Sequence, residues 1–77
     1  MKNVQREVKY PENKKISMKL KRGERIVIAE YAGLRPSTIR DMLNGYRRIT
    51  FSAGQAIIRF FEEREKVSRT LDEITNL

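Results

Sequence analysis

A chain of 77 residues makes one domain with a marginal core, because so short a chain buries only about 60% of the surface its unfolded form exposes. Its 17 Lys/Arg against 10 Asp/Glu leave a net charge of +7, and it has neither cysteine nor histidine. Disulfides, thiolate and imidazole metal sites, thiol nucleophiles and the usual general base near neutral pH are thereby excluded, and with no run of about 18 apolar residues and a polar start after Met1 the chain reads as soluble and cytoplasmic.

The charge is unevenly spread. Residues 1–25 carry nine Lys/Arg against three Glu, residues 26–50 four against two, and residues 51–77 four against five. A basic first third suits an anionic partner, and a phosphate backbone is the common one, since neutralising phosphates releases condensed counterions. Solubilising a terminus is the other use of such a stretch.

Residues 1–22 show little helical period. Val4, Val8 and Tyr10, then Ile16, Met18 and Leu20, fall at even spacings on either side of Pro11, which suits a small two-stranded β-ribbon. A flexible basic arm fits equally, because lysines interleave with the apolar residues and an isolated hairpin is marginal in water. From Gly23 onward the chain reads as the domain proper, residues 23–77. Val27, Ile28, Tyr31 and Ala32 share one face and Gly33 follows as a left-handed stop, predicting a first helix over 24–32. Pro36 at a first turn, Ile39, Met42 and Leu43 at helical spacing, and Gly45 as a stop predict a second over 36–44. The third starts at Thr50 or Ser52 and carries the stripe Ala53, Ala56, Ile57, Phe60, Phe61, Val67, Leu71 and Ile74, and either runs on through Ser68 or breaks there, since Thr70-Leu71-Asp72-Glu73 has capping-box spacing. The fold class expected is all-α, three helices with a basic N-terminal arm or small β-ribbon.

The stretch from Arg25 to Asn44 has a steric logic of its own. Ala29 is small where two helices cross, Gly33 permits the positive φ of a tight turn, and Leu34, Ile39 and Met42 fill the angle between the helices, with Ile28 before them. This is the pattern of a helix-turn-helix. Ile28-Ala-Glu-Tyr-Ala-Gly33, then Thr38-Ile39 and Asn44, resembles the DNA-binding headpiece of Lac-repressor-type regulators, and more loosely phage repressor and Cro-type proteins. The likeness continues through Ile49-Thr50 and covers about residues 25 to 62.

The resemblance implies a sequence-specific transcriptional regulator of duplex DNA, a repressor in the simplest case, acting as a homodimer at a bacterial or phage nucleoid. It implies that Pro36, Ser37, Arg40, Asp41 and Asn44 reach base edges, with Arg35 and Thr38 at phosphates. The chain departs from the family at two positions. Arg35 stands where a serine N-cap is common, and Asp41 where an arginine often grips guanine; a carboxylate accepts from cytosine N4 but repels phosphate, which makes Arg40 the better guanine reader. Lys19, Lys21, Arg22 and Arg25 before the first helix, and Tyr46, Arg47 and Arg48 after the second, flank the groove in this docking geometry and suit backbone contacts, although Arg47 and Arg48 also fit a solvated loop. Tyr31 reads as half-buried core, and Tyr46 either packs on Ile49 or offers its hydroxyl to a phosphate. The family's ligand-binding domain is absent, so no small-molecule inducer and no cofactor are implied, and no membrane.

Val67, Leu71 and Ile74 extend beyond what the helix pair covers. They are expected either to pair with a second copy or, if the chain bends near Ser68, to fold back on Met18 and Leu20. Competing functions are RNA binding by the basic arm, weakened because Phe51, Phe60 and Phe61 lie on or near an apolar stripe; non-specific nucleic-acid binding; and a protein-interaction module such as an antitoxin or adaptor. An enzyme is not expected: Glu62, Glu63 and Glu65 have Arg59, Arg64, Lys66 and Arg69 at pairing distance along the helix, and no phosphate loop or nucleophile–base pair is present.

Overall fold

The computed structural model describes residues 6–77 and is all-α. Four helices follow in order: α1 (Asn13–Ser17), α2 (Glu24–Ala32), α3 (Pro36–Leu43) and α4 (Phe51–Thr75).

Glycine sets both ends of α2. Gly23 (φ 87°) precedes it, and the Glu24 carboxylate reaches back to accept from the Lys21 amide at 2.6 Å. Gly33 ends it at φ 68°, where the Leu34 amide donates to the Ala29 carbonyl and the Gly33 amide to that of Glu30. This Schellman arrangement satisfies carbonyls that the helix end leaves free. Gly45 (φ 87°) repeats it after α3, with Tyr46 N–H on Asp41 and Gly45 N–H on Met42. At the other end of α3, Pro36 occupies the first turn, where its missing N–H costs nothing. Thr50 caps α4, its hydroxyl accepting from the Ala53 amide.

Ile28 and Ala29 of α2, Ile39, Met42 and Leu43 of α3, and Ala53, Ala56, Ile57 and Phe60 of α4 form the buried core. The three alanines let the helix backbones approach. Leu34 from the α2–α3 turn and Ile16 and Leu20 from the first segment pack against its edge.

The ribbon expected around Pro11 is not formed; there is no strand among the described residues, and Val4 lies outside them. Ile16 and Leu20 are four residues apart and face the core together, whereas Met18 between them is 84% exposed, a helical rather than an alternating pattern. Nor is the segment from Arg6 a free arm. The Lys9 and Tyr10 amides both donate to the Gly45 carbonyl, at 2.9 and 3.0 Å, and Asn13 Nδ2 donates to the carbonyls of Met42 and Arg47. Residues 6–10 thus form a strap laid on the C-terminal end of α3.

The strap needs glycine at position 45. A Cβ there would stand 2.7 Å from the Tyr10 carbonyl oxygen and 2.9 Å from Val8, while one at Gly33 would meet nothing within 4 Å. Both carry positive φ, which costs a residue with a Cβ about 1–2 kcal/mol. Gly33→Ala is therefore expected to show that strain alone, and Gly45→Ala to destabilise more and to displace the strap. Denaturant midpoints of the two variants, with the Tyr10 amide followed by NMR, check this.

The break near Ser68 is absent: α4 runs unbroken to Thr75, and Thr70 to Glu73 lie inside it. Past Arg64 every residue of the helix is exposed among the described residues. Val67, Leu71 and Ile74 are each 57% exposed, and with Met18 also exposed the fold-back onto the first segment does not occur. No helix among the described residues is long and apolar enough to cross a membrane.

Candidate functional site

The apolar residues of α3 are fully committed to the core, so its opposite side is free by geometry. Ile39, Met42 and Leu43 point inward, and Ser37, Arg40, Asp41 and Asn44, at helical spacings of three and four, line the outer face. Pro36, Ser37 and Arg40 are exposed; Asp41 and Asn44 are half-buried. Thr38 is half-buried at the shoulder of the helix, and Arg35 is exposed at its N-cap, where it makes no side-chain cap. The residue spacing that predicted this face therefore places four polar side chains on one outward surface.

Asp41 is not available in the way its sequence position implied. Arg6, from the strap, meets it fork to fork: Nη1 to Oδ1 at 2.9 Å and Nη2 to Oδ2 at 3.2 Å. The same guanidinium lies over the Tyr46 ring, 4.4 Å from its centre. The Arg6 hydrogen bonds hold the Asp41 carboxyl below its ordinary range, with the nearby positive charges of Arg40 and Arg47 acting in the same direction. Because the folded value is the lower one, the pair's contribution is present above the ordinary carboxylate range and is lost as pH falls through the lowered value.

Arg47 and Arg48 are exposed after α3, and Tyr46 is half-buried beneath Arg6. The basic residues leading into α2 and in its first turn are placed differently from one another. Lys19, Lys21 and Arg22 are exposed, and Lys19 and Lys21 line shallow grooves against Phe61 in the middle of α4. Arg64 fixes that turn by donating to the Lys19 carbonyl at 3.1 Å and to Glu24 at 2.9 Å. Arg25, expected at phosphates, is half-buried instead, donating to the Ser17 hydroxyl with its Nε enclosed and unpartnered. It is part of the α1–α2 junction rather than a free cation.

Elsewhere on α4, Glu63 accepts from the Tyr31 hydroxyl at 3.0 Å and from Arg59 at 3.2 Å. These two bonds, Tyr31 foremost, hold Glu63 below its ordinary range, and the same contact raises Tyr31. Within the acidic cluster of α4, Glu63 is thus paired at the surface, and Glu62 and Glu65 are exposed. Phe51 does not lie on the apolar stripe: it is 81% exposed at the start of α4, while Phe60 is buried and Phe61 half-buried.

Sequence reasoning missed Arg6, Asn13 and the strap. The one local signal was Gly45, read only as a helix stop although its lack of a Cβ also seats Tyr10. Comparison of the chain with protein-family models, with curated proteins and with solved structures finds no match.

Proposed function

We propose that the chain is a helix-turn-helix regulator that binds a specific site in duplex DNA with the outer face of α3. The observation that carries this reading is the division of α3 itself. One side is closed in the core, and the other presents Ser37, Arg40 and Asn44 between Arg35 at its start and Arg47 and Arg48 beyond its end. A major groove admits one α-helix, and cations at the two ends of that helix then meet the phosphates on either wall. The short turn through Gly33 and the small Ala29 at the α2–α3 crossing are the steric features that such a pair needs.

The Arg6–Asp41 pair supports the same reading, because it pairs the one carboxylate that α3 itself carries. Repression at a bacterial or phage promoter is the simplest regulatory use of such a protein. Titration against a fixed duplex at two salt concentrations tests the proposal. Binding should weaken steeply with salt, and an unrelated duplex of equal length should bind more weakly. A protein-interaction module on the same scaffold would bind neither.

The exposed stripe Val67, Leu71 and Ile74 belongs to this proposal as a homodimer contact. Together with Ile57, Phe60 and Arg64 these residues follow alternating steps of three and four, the spacing of a helix-pairing seam. Sedimentation at micromolar concentration should show a dimer that Leu71→Asp converts to a monomer; a monomer throughout would exclude this contact.

A further inference from the structure

The strap brings one more cation to the α3 face, and its chemistry there differs from that of a surface lysine. The Arg6 side chain is 52% exposed while that of Asp41 beneath it is only 19% exposed, so what the protein presents at this position is the cation. The carboxylate is the support. Asp41 takes one N–H from each of the two terminal nitrogens. A guanidinium has five N–H donors, so three remain: one on each Nη and the one on Nε. Nε and its neighbouring Nη form a second, parallel pair along the side of the group. That edge has the spacing required to meet O6 and N7 of guanine in the major groove.

Position is fixed as well as chemistry. The Tyr46 ring lies 4.4 Å beneath the guanidinium. The strap is tied three residues away by two amides on the Gly45 carbonyl, in a seat with no room for a Cβ. A side chain with several rotatable bonds is thus held at both ends, which reduces the ordering cost of a directional contact. Asp41 lies one residue from Arg40 and one helical turn from Ser37, so Arg6 stands beside the groove-facing residues.

We infer that Arg6 reads a guanine at the edge of the site, with Asp41 acting as the residue that orients it rather than as a reader of cytosine. The inference rests on the proposed docking of α3 in the major groove and reverses the base expected opposite Asp41. It also gives residues 6–10 a role in specificity, not merely in electrostatic attraction. A strap that instead covered the α3 face would make Arg6 an inhibitor of binding, and the two roles predict opposite changes.

The probe is the duplex that the wild-type chain selects from a random pool, with an unrelated duplex of equal length as reference. Arg6→Ala is expected to lower affinity for the selected duplex about tenfold and for the reference duplex no more than about twofold. Arg6→Lys keeps the charge but not the planar fork, and should lose preference for the selected duplex while retaining affinity for the reference. Asp41→Asn keeps the shape and should lower preference as well. Replacing the guanine concerned should weaken wild type but leave Arg6→Ala unaffected. Thermal unfolding of each variant separates loss of reading from loss of fold. Tighter binding by Arg6→Ala, or equal loss on both duplexes, would overturn the inference while leaving the proposed function standing. Absence of duplex binding by wild type would overturn both.

Discussion

Arg40→Ala is expected to cost about 1–3 kcal/mol on the preferred duplex and much less on random DNA, because a two-point contact to guanine discriminates between bases. Arg40 is exposed on the outer face of α3 and, alone among the charged residues of that helix, makes no ion pair among the described residues. Its removal takes nothing from the core. Arg47→Ala and Arg48→Ala are expected to behave otherwise. Each lies in the exposed turn after α3, where a contact to the phosphate backbone carries no base information. Each variant should weaken specific and random binding alike and lower the salt slope by about one unit per contact. Binding isotherms on both duplexes at several salt concentrations separate the two behaviours. Should Arg40→Ala lower all affinities equally while Arg47→Ala alters base preference, α3 does not lie in the groove as proposed.

Leu43→Ala is expected to remove much of the stability of the domain. Leu43 is fully buried at the end of α3, between the strap-bearing turn and the core it shares with α2 and α4. Truncating a buried leucine to alanine costs about 2–5 kcal/mol through lost transfer energy and an unfilled cavity. A domain of this size has a net stability of about 4–12 kcal/mol, so the change takes a large share of it. In thermal unfolding by far-ultraviolet circular dichroism the midpoint should fall by roughly 8–40 °C, at about 4–8 °C per kcal/mol. Leu71→Ala on the exposed half of α4 should leave the midpoint of the isolated protomer nearly unchanged. Equal effects at the two positions would contradict the core described above.

The helices that frame the candidate site were legible because their signals are local. Gly33 and Gly45 announce left-handed stops, Pro36 marks a first turn, and Thr50 stands three residues before the amide it caps. The predicted spans 24–32 and 36–44 accordingly match Glu24–Ala32 and, within one residue, Pro36–Leu43. Position was harder to read where two periods share the same residues. Ile16 and Leu20 satisfy both an alternating and a helical pattern, and only the burial state of Met18 distinguishes them. Of the two courses open at Ser68 the unbroken helix is the one taken, for a related reason. Serine and threonine cap a helix only where the chain is otherwise ready to start one, and residues 51–75 are already in helix.

Gly45 apart, the sequence carries no signal of the strap. Arg6 and Asp41 are separated by 35 positions, and no spacing rule connects them. The same holds for Asn13, whose amide secures the carbonyls of Met42 and Arg47, and for Arg25, whose enclosure at the α1–α2 junction is invisible in a list of basic residues. Composition marked the first third of the chain as basic. Tertiary contacts decided which of its cations stand on the α3 face.

Selection of bound duplexes from a random pool, repeated at two salt concentrations, tests the central claim most directly. The account predicts an enriched motif containing a guanine for Arg40, arranged as an inverted repeat if the protein pairs through α4, with affinity but not preference falling as salt rises. Binding without any enrichment would contradict sequence recognition by α3, and no binding to duplex DNA at either salt concentration would contradict the proposed function as a whole.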